Sequence, residues 1–219
     1  MQSYEDIVKL MVSEKRFHHS QCVAWEAKHL AATHGVDIKR AYIAAILHDV
    51  CKDLPQSALL QMIVKAGIIC DNVTFRQPQV WHGIAGAVFA RQQLGITDQE
   101  VLDAIRYHTT GRAGMTSLEQ IVYVADLTSE DRDFPGVDKL RRLAEESLDN
   151  AMLESLSYIV EDFAKQCKPL CPDTYAAYNE YCARTRPMGP DPSVWETTQD
   201  EGETEKAEDY WPNTAPNYY

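Results

Sequence analysis

The stretch Ala44-Ala45-Ile46-Leu47-His48-Asp49-Val50-Cys51-Lys52-Asp53 places the tightest constraint on the fold. Asp37 offers an N-cap, Ile43, Ile46, Leu47 and Val50 recur at helical spacing, and Pro55 limits the far end. The pattern predicts a helix from Asp37 to Asp49 with a buried apolar stripe. That helix runs directly into an imidazole and a carboxylate. Adjacent residues on a helix point about 100° apart, so the two side chains can flank one ion. Burying both is costly unless something pairs them, and a metal would do so. A lone His-Asp pair is common by chance, so the rest of the chain must supply further ligands.

The remaining segments are also helical. Ser3 and Asp6 form a capping-box pattern for a helix from Tyr4 to about Ser13. A second helix is predicted over 17–34, stopped by Gly35, and Pro55 opens one that ends near Gly67. Residues 68–79 read as a loop. Trp81 to Leu94 follows, then a helix over 98–108 capped by Thr97, and one capped by Ser117 that runs through Asp126. Val137 to Glu146, Leu148 to Lys168 and Pro172 to Thr185 complete the set. No stretch alternates with period two between turn residues, so the fold class is all-α, a helical bundle with short loops.

The length suits one domain, taken as residues 1–186, followed by an acidic tail at 187–219. The tail has five prolines and almost no aliphatic residues, a composition that predicts disorder, and its aromatics (Trp195, Tyr210, Trp211, Tyr218, Tyr219) offer at most a docking motif. The net charge of −12 argues against a nucleic-acid partner. With no apolar run near 18 residues and no signal-peptide pattern at the N-terminus, no membrane partner is expected and the cytoplasm is the default location. The six cysteines are expected to be reduced there. Cys167, Cys171 and Cys182 lack a fourth ligand nearby for a structural zinc.

The histidines carry the chemistry. His19 starts the second helix, His48 and Asp49 end the third, His82 opens the fifth, and His108 ends the sixth. Asp126 ends an apolar helix, where a negative charge opposes the helix dipole and calls for a cation. All six lie at or near helix ends, from which side chains can converge on one pocket. His29 and His34 lack such surroundings.

The order H…HD…H…H…D resembles the HD-domain metal-dependent phosphohydrolases. More narrowly, Arg16-Phe17-His18-His19-Ser20, Leu47 to Pro55, His82-Gly83, Ala104 to Arg112 and Ile121 to Asp126 are similar to the YqeK-type symmetrical bis(5′-nucleosyl)-tetraphosphatases. Phe134-Pro135-Gly136-Val137-Asp138 and Pro172-Asp173-Thr174 are similar as well, and the resemblance spans about residues 4–185. The acidic tail has no counterpart in it. His18 leaves the register of the first ligand open, and the small Ser20 favours His19. The usual proline before the arginine is missing ahead of Arg132.

The resemblance implies two metal ions, with iron favoured and manganese, zinc or cobalt as alternatives. His19, His48, Asp49 and Asp126 would hold one, and Asp49 would bridge to a second held by His82 and His108. Two ions about 3.5–4 Å apart activate a shared water, and the bridging hydroxide would attack phosphorus in line. The implied reaction is symmetrical cleavage of diadenosine tetraphosphate to two ADP. Lys52 would stabilise transferring charge, and Asp53 would orient water or protonate the leaving group. Thr109, Gly111 and Arg112, in a turn after His108, and Arg132 would grip phosphates. A small-molecule nucleotide is thus the expected partner, and a homodimer is compatible. The rival readings are an HD hydrolase acting on a mononucleotide or an alarmone, and a nucleotide-binding regulatory module without turnover.

Overall fold

The computed structural model describes residues 3–186. Among these are α1 (Tyr4–Met11), α2 (Glu14–Thr33), α3 (Ile38–Leu47), α4 (Gln56–Lys65), α5 (Asn72–Phe75) and α6 (Trp81–Gln92), the last preceded by a 3₁₀ turn at Pro78–Val80. There follow α7 (Gln99–Tyr107), α8 (Ser117–Thr128), α9 (Val137–Glu146), α10 (Leu148–Lys165) and α11 (Pro172–Thr185). No strand occurs among the described residues, so the all-α expectation holds. The acidic tail expected from residue 187 lies outside the described residues. Among the described residues, no helix is long and apolar enough to cross a membrane.

Local chemistry explains most of the boundaries. Ser3 and Asp6 make the expected capping box. Asp37 accepts from the Arg40 amide at 3.0 Å and starts α3. Two caps differ by one residue from the sequence reading. Asp98, not Thr97, accepts from the amides of Glu100 and Val101 at the head of α7. Thr116, not Ser117, closes a capping box with Glu119 on α8. Asp98 has a second interaction, with Arg40, and Glu119, the capping-box partner of Thr116, also binds Arg112. The predicted loop at 68–79 contains α5, held by Asp71 through the amides of Val73 and Thr74. Helix α2 begins at Glu14, three residues earlier than periodicity suggested.

Helix α8 is the hub. It packs against α2, α3, α7, α9 and α10. Leu118, Ile121, Val122, Tyr123, Val124 and Ala125 are all buried. A helix apolar on every side must be surrounded, which is why its face pattern is weak. Helix α3 packs closely on α2, because Ala41, Ala44 and Ala45 keep that side small. The consequence for function is geometric: α3, α7 and α8 all end near one another, and α2 and α6 begin there.

Candidate metal centre

His48 is the residue that closes α3, and Asp49 follows in the turn beyond it. His108 closes α7 in the same way, while Asp126 sits in the last turn of α8. His19 comes from the second turn of α2 and His82 from the first turn of α6. All six expected ligands therefore meet. Of the two neighbouring histidines, His19 is the one turned into the cluster, 5% exposed, whereas His18 faces out beside Cys22. Three helix C-termini point their carbonyl ends toward the centre, a field that favours cations.

The imidazoles are prepared for metal. His48 donates its Nδ1 hydrogen to the Ala45 carbonyl at 2.6 Å, and His108 donates its own to the Ile105 carbonyl at 2.7 Å. In neutral rings this leaves each Nε2 with its lone pair facing inward. His19 Nδ1 donates to Asp131 Oδ2 at 2.8 Å, and its Nε2 lies 2.9 Å from Asp126 Oδ1. Inward-facing lone pairs at such distances need a cation or a proton between them.

Asp49 divides the centre in two. Its Oδ2 lies 3.5 Å from His48 Nε2. Its Oδ1 lies 3.0 Å from His82 Nε2 and 3.5 Å from His108 Nε2, and those two nitrogens are 3.0 Å apart. Donors each about 2.1 Å from one ion stand about 3–3.4 Å apart, and the separations here, 2.9–3.9 Å, bracket that range. His48 Nε2 and Asp49 Oδ1 are buried with no hydrogen-bond partner, the orphaned atoms that a bound ion would satisfy. Ligand atoms of His19, His48 and Asp126 lie within 4.8 Å of one another, as do those of His48, Asp49 and His108. The described cysteines join neither group.

Electrostatics agrees with the geometry. Burial alone would raise Asp126, but the His19 hydrogen bond and the nearby charges of His48 and Arg132 hold it far below the usual carboxylate range. Asp49 is likewise kept low against burial, chiefly by the charge of His48 and by the imidazoles of His108 and His82 beside it. Burial pushes His82 down to about 4, which keeps it in the neutral, ligating form. For His48 burial opposes the charge, but Asp49 and Asp126 outweigh it and draw positive charge onto the ring. A divalent ion supplies that charge in place of the proton.

The other expected residues divide. Lys52 stands at the mouth, Nζ 3.1 Å from His82 Nε2 and 3.8 Å from Asp49 Oδ1. Arg132 joins the cluster: its Nη2 bonds Asp126 Oδ1 and lies 3.3 Å from His19 Nε2. Thr109 Oγ1 is buried beside His108 with no partner. Three residues have other engagements. Asp53 is exposed and accepts from the Ser13 amide at 2.7 Å, at the head of α2. Arg112 is locked onto buried Glu119 by two hydrogen bonds of 2.7 Å. Gly111 turns the chain at φ +65°, and its amide already donates to the Tyr107 carbonyl at 2.8 Å.

Sequence reasoning missed two groups. Arg16 Nη1 donates to Asp49 Oδ2 at 2.8 Å; its i, i+3 spacing from His19 on α2 was the available signal. Asp131 orients His19, and nothing in the pattern singled it out from its acidic neighbours Glu130 and Asp133.

Comparison with known proteins decides the family. The HD domain family matches residues 16–131. The chain belongs to the HD-domain family. It is 40% identical to a symmetrical bis(5′-nucleosyl)-tetraphosphatase of Bacillus subtilis, over 78% of this chain and 92% of the relative. It is 35% identical to a protein of the same name from Staphylococcus aureus, over 68% and 77%. The crystal structure of a protein described as a predicted HD superfamily hydrolase involved in NAD metabolism, from Clostridium acetobutylicum, superposes with a TM-score of 0.81 at 35% identity. That match covers 84% of this chain and 99% of the other. HD membership implies divalent metal binding, and the six converging ligands fit it.

Proposed function

We propose that the chain is a metal-dependent hydrolase that cleaves diadenosine tetraphosphate symmetrically, giving two ADP. The observation that carries this reading is Asp49, whose Oδ2 faces the Nε2 of His48 and whose Oδ1 faces those of His82 and His108. The names of the relatives support the substrate. Mixed imidazole and carboxylate donors suit iron, manganese, zinc or cobalt better than magnesium, and we take iron as the first choice. His19, His48, Asp49 and Asp126 would hold one ion, and Asp49, His82 and His108 the other. Ions in these positions supply Lewis acidity toward phosphoryl oxygens and lower the pKa of a water.

The protein's own residues do the rest. Arg16, Lys52 and Arg132 bring three cationic groups to the centre, so an anionic polyphosphate meets local cations despite the acidic chain. Burial weakens the proton affinity of Lys52, while Asp49 beside it works to keep the ammonium charged. Water attacks one of the two central phosphorus atoms in line, and the bond to the central bridging oxygen breaks. That oxygen leaves as part of the terminal phosphate of ADP. A phosphate is a good enough leaving group to depart without a proton, which frees Asp53 for its place at the head of α2. Six free cysteines suit a reducing compartment, and we place the reaction in the cytoplasm.

Chelation and reloading test this reading. Treated with chelator, the protein should lose turnover of the dinucleotide and recover it with ferrous or manganese ions. Unchanged turnover after complete metal removal would exclude it.

A further inference from the structure

Arg132 belongs to two places at once. Its guanidinium bonds Asp126, and its side chain also lines a cavity of about 330 Å³. Leu127, the residue after Asp126, lines the same cavity, so its interior begins one residue from a metal ligand. Its further walls include Phe134, Tyr158 and Ile159, with Glu154 as the carboxylate in the lining. The volume lies at the lower end of the range for small-molecule sites, about 300–1,000 Å³.

The lining is selective in its chemistry. The rings of Phe134 and Tyr158 are neighbours, with centroids 6.5 Å apart. Tyr158 is 64% exposed, an aromatic face that the fold itself does not cover. Glu154 accepts from Lys139 Nζ through Oε1 at 2.7 Å, and a carboxylate has further acceptor sites to offer. A flat ring with amino hydrogens at its edge satisfies both features. An alkyl chain would leave the remaining acceptor sites of Glu154 unused.

The loop holding these walls is braced. Arg141 donates to the carbonyls of Thr128, Ser129 and Arg132, and Gly136, at φ +98°, turns the chain into α9. The Phe134-Pro135-Gly136 segment is thereby held beside Arg132.

Building on the function proposed above, we infer that this cavity seats one nucleobase of the dinucleotide. The base stacks on Tyr158 and Phe134, Glu154 accepts from its exocyclic amine, and Arg132 marks the border between nucleoside and polyphosphate. The cavity is therefore a specificity subsite for a purine bearing an amino group.

The test is ADP binding to the manganese-loaded protein, followed by calorimetry, with tripolyphosphate as the base-free probe. Base–aromatic stacking is strong enough that Tyr158→Leu should weaken ADP binding by about tenfold. Tripolyphosphate should bind the variant as it binds the parent, and Tyr158→Phe should recover ADP affinity. Tyr175→Leu, which removes an equally exposed ring on α11 outside the cavity, should bind ADP like the parent. Unchanged ADP affinity in Tyr158→Leu overturns the inference, as does an equal loss for tripolyphosphate. The binding assay is independent of turnover. A parent protein that binds ADP through Tyr158 but cleaves no dinucleotide would sink the proposed reaction and leave the base subsite standing.

Discussion

His19 is held by Asp131: the ring donates its Nδ1 hydrogen to Asp131 Oδ2 at 2.8 Å, while Asp131 Oδ1 accepts from the Ser129 hydroxyl at 2.7 Å. The carboxylate fixes the ring orientation and aims Nε2 at Asp126. Losing such a partner typically costs about 10–100-fold in metal affinity or activity. Asp131→Ala should therefore weaken binding at the His19 side by an amount in that range, measured by metal titration, with the fold intact by circular dichroism. Unaltered metal affinity would show that Asp131 is a bystander.

Gly83 permits the approach of α6 to α7. A Cβ at this position would lie 2.8 Å from the Arg106 carbonyl oxygen and 3.4 Å from His108 Cε1. Backbone cannot yield as a flexible side chain can. Gly83→Ala should thus force α6 away, separating His82 from His108. The expected cost is about 1–3 kcal/mol of stability, as for other overpacked sites, read from urea unfolding. Metal content should fall from two ions toward one.

Arg141 reaches from α9 to three carbonyls of the 128–132 segment, all at 2.9–3.0 Å. Arg141→Ala leaves the ligands in place but unties the segment that carries Arg132. KM for the dinucleotide should rise several-fold, with a smaller change in kcat and unchanged metal content. An equal loss of bound metal would mean that Arg141 supports the whole centre and not the segment alone.

Asp98 contributes a pH-dependent term. It caps α7 and accepts from Arg40 Nε and Nη2, both at 2.7 Å. The Arg40 hydrogen bonds hold its carboxyl below the ordinary value, against the opposing effect of burial. Its folded pKa is thus lower than its unfolded pKa of about 3.9. The stabilisation is present above the unfolded pKa and is lost as pH falls through the folded one. Asn is also a good N-cap, so Asp98→Asn removes the charge and keeps the cap. Because the pair is more than a third exposed and screened, the deficit at pH 7 should be below about 1 kcal/mol. Denaturation curves of parent and variant should converge below pH 4.

The convergence of the six candidate ligands was legible because metal chemistry restricts residue types and helix ends restrict their positions. His48-Asp49 could be found from an apolar run ending in two polar groups, and Asp126 from a charge at the wrong end of a helix dipole. The helices were legible through caps such as Ser3, Asp37 and Pro172. What sequence could not show was which partner a charged side chain would choose. Arg112 looked available for phosphate, but Glu119, seven residues on and fully buried, holds it with two hydrogen bonds. Gly111 looked like a phosphate cradle, yet its amide closes its own turn on Tyr107. Asp131 and Arg16 act across 112 and 33 residues of chain, and no local pattern encodes contacts at such separations.

Product analysis tests the central claim most directly. Diadenosine tetraphosphate is incubated with metal-stripped and then iron- or manganese-reloaded protein, and the nucleotides are separated by chromatography. The account predicts ADP as the sole nucleotide product, formed only after reloading and abolished by Asp49→Ala. ATP with AMP would place the attack on the wrong phosphorus, and full activity in Asp49→Ala would contradict the bridging role on which the proposed function rests.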